Sequence, residues 1–122
     1  MQPLDMQDKM RIVQELVPGR QITLAHIIAN PDPILYQKLG LDPSLDYKRA
    51  AIGVLTISPA ETAVITADIA LKTSGAELGF VDRFSGTLII TGTVAEVEAS
   101  FQAIAEYFSN VLKFTVCEVT RT

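Results

Sequence analysis

The chain predicts an α+β domain whose larger part runs β-α-β-β-α-β, a ferredoxin-like layout with helices on one face of an antiparallel sheet. Three observations carry that reading. Two segments, Ser58-Pro59-Ala60-Glu61 and Thr93-Val94-Ala95-Glu96, have the Ser/Thr-x-x-Glu form of a capping box that starts a helix. Short β-forming runs at 51–57, 76–82, 87–92 and 114–119 flank them. Val97, Phe101, Ile104, Phe108 and Val111 recur at helical spacing, which gives one clean apolar face.

Taken in order, residues 10–17 read as a strand, with Met10, Ile12 and Leu16 on one side and Val13 and Val17 on the other, stopped by Pro18-Gly19. Residues 21–29 read as a second strand. Asn30-Pro31-Asp32-Pro33 opens a short helix, capped by Asn30 or Asp32 with proline at the first position, and Gly40 closes it. Leu41 to Arg49 is a polar loop. The apolar run 51–57 suits a central strand. The helix after Ser58, with Pro59 at its first position, extends to about Ser74 and stops at Gly75. Its small apolar stripe is Ala60, Ala63, Val64, Ala67 and Leu71, suited to close packing on a sheet. Arg83 to Gly86 joins the next two strands, and the Thr93 helix leads to the last one.

At 122 residues the chain has the length of one domain, and 48% apolar against 20% charged residues excludes a disordered tail. Ten basic against fourteen acidic side chains leave a net charge of −4, against duplex nucleic-acid binding, which needs a basic face. One Cys and one His cannot build a four-ligand zinc site or a disulfide framework. The first residues lack the basic-then-apolar run of a signal peptide, and no run reaches the ~20 apolar residues of a membrane span. A soluble cytosolic domain without metal or cofactor is expected.

Few residues are candidates for chemistry. Asp82-Arg83 with Ser85-Gly86 reads either as an anion-binding turn or as a hairpin connection with a solvated Asp–Arg pair; such loops are more often the latter. Phe84, an aromatic at the tip of that turn, needs an explanation. His26 sits among Leu24, Ala25, Ile27 and Ile28 with no motif that supplies a nucleophile or orienting carboxylate, which favours a structural or interface histidine. Cys117, between Val116 and Glu118, reads as a packed thiol rather than a nucleophile. Asp68 reads as a solvated or interface carboxylate. Gly75, Gly79, Gly86 and Gly92 match neither nucleotide-binding fingerprint. Nothing in this inventory resembles an enzyme's.

Several blocks are similar to a known family: Val17-Pro18-Gly19-Arg20-Gln21-Ile22-Thr23-Leu24-Ala25-His26-Ile27-Ile28-Ala29, Ala51-Ile52-Gly53-Val54-Leu55-Thr56, Gly79-Phe80-Val81-Asp82-Arg83-Phe84-Ser85-Gly86 and Thr120-Arg121-Thr122. Over residues 9–122 the chain resembles the circularly permuted shell proteins of bacterial microcompartments, the EutS/PduU type of the BMC-domain family. The resemblance implies that residues 21–40 are a strand and helix moved from the end of the ordinary domain to its front. It divides the chain into an N-terminal extension, 1–20, and a single permuted BMC domain, 21–122. It also implies cyclic hexamers that tile with other shell proteins in the bacterial cytoplasm, as the wall of a microcompartment. The strand of residues 10–17 (Met10, Arg11, Ile12, Val13, Gln14, Glu15, Leu16, Val17) would join five others in a parallel β-barrel over the six-fold axis. Closure suits a strand that is apolar on both sides, because it leaves no open edge.

By the same resemblance, Arg83, Phe84, Ser85 and Gly86 match the loop around the pore, where six copies of Phe84 would narrow the opening. Lys72 matches the lysine at the hexamer–hexamer edge, although a lysine at a helix end also suits the helix dipole. Asn30-Pro31 replaces an arginine that ordinary shell domains place beside that edge, so the contact there must differ in detail. Some permuted relatives carry a cysteine motif for an iron–sulfur cluster; Cys117, in a strand away from the pore loop, does not match it. Two other roles remain open: a docking module that takes a cargo or targeting peptide in the barrel, and a ferredoxin-like small-molecule enzyme or sensor. The last needs an anion-binding loop after its first strand, where this chain has Ser58-Pro59-Ala60-Glu61 with an opposing carboxylate.

Overall fold

The computed structural model describes residues 19–41 and 50–122. Strand β1 (Gln21–Ile28) leads to helix α1 (Ile34–Lys38), then β2 (Ala51–Ser58), a 3₁₀ turn (Ala60–Thr62), α2 (Ala63–Thr73), β3 (Glu77–Asp82), β4 (Thr87–Gly92), α3 (Val94–Asn110), β5 (Thr115–Val116) and β6 (Thr120–Arg121). The expected strand 10–17 and most of the loop 41–49 lie outside the described residues.

The strands form one sheet in the order β3-β4-β2-β1-β5, with β6 also paired to β1. The β1–β2, β2–β4 and β3–β4 pairs are antiparallel, whereas β5 and β6 run parallel to β1. The sheet is therefore mixed, which corrects the expectation of an antiparallel one. The cause is the place of β1. In a plain ferredoxin-like order the last strand pairs with the first of the motif, here β2. β1 is inserted between them, antiparallel to β2, and so meets β5 in the same direction.

The helices do not all share one face, a second correction. α2 and α3 cover the face that carries Ala51, Leu55, Ile57, Leu88 and Ile90. α1 lies over the other, where Leu35, Tyr36 and Leu41 pack with Ile28, Ile52, Val54 and Ile89. The Tyr36 hydroxyl donates to Ala50 O at 2.5 Å and fastens α1 beside the start of β2; burial pushes that hydroxyl's pKa up.

α3 forms as its sequence predicts. Thr93 Oγ1 accepts the Glu96 N–H at 3.1 Å and Glu96 Oε1 accepts the Thr93 N–H at 2.9 Å, a complete capping box. Val97, Phe101, Ile104 and Phe108 are buried, and Val111, at the end of the helix, is exposed. The helix comes down on Gly53 of β2, where a Cβ would stand 2.6 Å from Val97 Cγ1 and 2.8 Å from Phe101 Cζ. Phe114 meets the Phe108 ring edge-on at 4.8 Å and ties the end of α3 to β5.

α2 departs from the expectation in two ways. Ser58 is the last residue of β2, paired with Gln21, and caps nothing. The chain enters the 3₁₀ turn from extended Pro59, whose carbonyl accepts the Thr62 N–H at 3.0 Å and the Thr62 hydroxyl at 2.5 Å. The buried stripe is Ala63, Thr66, Ala67 and Ala70; Val64 and Leu71 face outward. The last strand is also broken: residues 117–119 lie between β5 and β6, held to β1 by the Cys117 N–H on Ile22 O at 3.3 Å.

Candidate functional site

The loop between β3 and β4 is ordered by Asp82 and Gly86. Asp82 Oδ1 accepts the Phe84 N–H and Oδ2 accepts the Ser85 hydroxyl, both at 2.8 Å, an Asx-type closure of the turn. Ser85 Oγ also lies 3.0 Å from Thr87 Oγ1. These donors, the Phe84 N–H first, hold the Asp82 carboxyl below its ordinary pKa. Gly86 takes φ +79°, donates to Asp82 O at 2.9 Å and accepts the Ile57 N–H at 2.9 Å, so the loop is bolted to the end of β2. A Cβ at Gly86 would stand 2.2 Å from Ile57 O.

With its carboxylate turned inward, the loop presents Arg83 and Phe84. Phe84 is 80% exposed, and the Arg83 guanidinium rests over its ring, 4.9 Å from the centroid. Apart from that contact with Arg83, an apolar ring this exposed adds little to the domain's own packing. The turn joins antiparallel β3 and β4 as a hairpin connection, and Asp82 caps it instead of pairing with Arg83.

Lys72, in the last turn of α2, contacts Asp68 one turn earlier, Nζ to Oδ2 2.9 Å, with both side chains exposed. The hydrogen bond that Lys72 donates to Asp68, together with the carboxylate's charge, raises the lysine's pKa. Asn30 is exposed in the bend after β1. The sheet register sets these residues apart from the loop. Gln21 is opposite Ser58 and Thr56 opposite Thr87 at the loop's end; Ile28 is opposite Ile52, Ala51 opposite Gly92 and Glu77 opposite Thr91 at the other. Ser74, just past Lys72, bonds Glu96 O at that second end. Arg83–Gly86 thus lies at one end of the sheet and Lys72 and Asn30, on separate elements, at the other, with eight-residue strands of about 25 Å at ~3.3 Å per residue between.

His26 is structural: Nδ1 lies 2.6 Å from Thr120 Oγ1 and Nε2 2.9 Å from Thr122 Oγ1, pinning the last residues to β1. Cys117 is half-buried and burial raises its pKa, the opposite of what a nucleophile needs. Among the described residues no group of His, Cys, Asp and Glu is arranged to hold a metal. The outward Val64, Ile65 and Leu71 of α2 escaped the sequence reading. The alanines at 63, 67 and 70, on one helical face, were the available signal.

The BMC domain model matches residues 51–120, from the start of β2 into β6. The chain belongs to the BMC-domain family. It is 46% identical to the bacterial microcompartment shell protein PduU of Salmonella typhimurium, over 92% of this chain and 93% of that one. To the shell protein EutS of Escherichia coli it is 44% identical, over 94% and 99%. Its fold is similar to that of CutR solved as a flat hexamer, with a TM-score of 0.78 at 44% identity, covering 87% of this chain and 94% of that one. The BMC match begins after β1, yet β1 lies inside the BMC sheet between β2 and β5. That order fits a circularly permuted BMC domain of the PduU and EutS type.

Proposed function

We propose that the chain is a non-catalytic shell tile: six copies ring an axis, with Arg83, Phe84, Ser85 and Gly86 of each around the pore and Lys72 and Asn30 at the outer edge. One observation carries the assignment of surfaces. The loop that spends an aromatic on solvent and the edge residues lie at opposite ends of one rigid sheet, as an inner and an outer rim require. CutR's flat hexamer supports the ring. Residues 1–20 are the extension, in which Met10 to Val17 form the intersubunit barrel over the pore, and 21–122 are the tile itself. Its neighbours are other shell proteins of the same compartment, and the barrel is the surface for a targeting or cargo peptide.

The test is assembly mass followed by solute passage. Light scattering gives a mass near six times 13.3 kDa, and Phe84→Ala leaves that mass unchanged while altering the passage of small solutes through tiles reconstituted in a bilayer. Deletion of residues 1–17 keeps the ring and opens the pore further. A monomer or trimer at micromolar concentration overturns the tile; passage indifferent to Phe84→Ala in both the full-length and deleted chains overturns the pore.

A further inference from the structure

The loop between β3 and β4 ends with its charges divided. Both Asp82 oxygens are taken, by the Phe84 N–H and the Ser85 hydroxyl. The exposed Arg83 rests over Phe84 and has no carboxylate partner among the described residues. A guanidinium stacked on a ring keeps its N–H edge free for a bidentate acid. Six copies around one axis make a circle of uncompensated cations.

The extension carries the opposite charge. The described chain begins at Gly19, beside β1 at the loop's end of the sheet. β1 lies two strands from β4, roughly 10 Å at ~4.8 Å per strand. Glu15 stands five residues before Arg20, a reach of up to about 17 Å when extended, so its carboxylate can meet the loop. It is the only acidic residue in the run 10–17, and strand alternation puts it on one side with Val13 and Val17. Cyclic symmetry sets its six copies at one height in the barrel, where like charges repel unless cations meet them. Arg20, closer in the chain, rests over Phe114 at 5.9 Å, on the side of β1 away from the loop.

We infer that Arg83 holds the Glu15 carboxylate of an extension in the same ring, so that the pore loop is the seat of the barrel. Six such pairs fix the barrel's mouth over the pore, with each guanidinium kept in place by Phe84. This rests on the tile and barrel reading and adds to it the contact that joins the two parts.

Amide hydrogen exchange at residues 10–17 of the full-length chain tests it, with ring mass read by light scattering. Glu15→Arg and Arg83→Glu each keep rings and speed exchange there about tenfold or more, because like charges then meet. The double variant Glu15→Arg/Arg83→Glu restores wild-type protection. Where a reversal prevents assembly, Glu15→Gln and Arg83→Gln decide: each speeds exchange, and together they do no more than either alone. A double reversal that fails to restore protection, or neutral variants whose effects add, overturn the inference. So does restoration by Arg20→Glu in place of Arg83→Glu, which gives Glu15 to the other cation. Protection that ignores every change at Arg83 overturns it too and leaves the barrel standing. Wild-type rings without protection at 10–17 overturn the barrel as well, and a wild-type chain that forms no ring overturns the tile.

Discussion

Gly86 and Asp82 show how little sequence is needed to fix a surface loop. Gly86 sits at φ +79° with Ile57 O where a side chain would begin, so Gly86→Ala must both strain the backbone and push the loop off β2. A loss of about 2 kcal/mol or more is expected in chemical denaturation, above the usual cost of a surface change. Asp82 makes the loop sensitive to acid. Its folded pKa lies below the ordinary 3.8, so the carboxylate's contribution is complete above that value and is lost as pH falls through the folded one. In urea titrations from neutral to strongly acidic pH, Asp82→Asn should remove that part of the acid dependence and leave the rest. Reading the loop from sequence succeeded because turn chemistry is local: Asp, Ser and Gly act on backbone within a few residues. His26 was legible only as a non-catalytic residue, since its partners Thr120 and Thr122 are brought to it by the sheet.

The two capping boxes separate motif from structure at the level of elements. Thr93 and Glu96 make both reciprocal bonds, whereas Ser58 remains in β2 and the turn after it starts from Pro59. Thr93→Ala should therefore cost about 1 kcal/mol of unfolding free energy, and Ser58→Ala should stay within about 0.5 kcal/mol, as compared by denaturation midpoints at constant slope. The segments 21–28, 51–58, 77–82, 87–92 and 94–110 were visible because pattern, caps and breakers agree there. The direction of α2 was not: Val64 and Leu71 look like core residues by type, and only the close approach of α2 to α3, where Ser100 Oγ donates to Ala70 O at 3.2 Å, shows that this side has room for small residues alone. α1 carries too short a pattern to say which face it covers, and which strand neighbours β5 depends on pairings that local sequence does not encode.

The molecule as a whole is a short beam with different chemistry at its two ends. Sites so far apart, with no shared partners, contribute independently. Phe84→Ala combined with Lys72→Ala should give the sum of the single effects on thermal stability, and ring formation should follow neither change. The placement of β1 has a consequence of another kind, in the order of events. During synthesis β1 emerges early and finds β2 soon after, but its other side waits for residues 115–121, and His26 waits for a threonine 94 positions later. Contacts that distant in the chain slow folding. Until they form, the β1 flank is an unpaired edge open to a strand of any nascent neighbour. The placement of β1 ahead of the strands it joins is thus also a delay built into the chain's maturation.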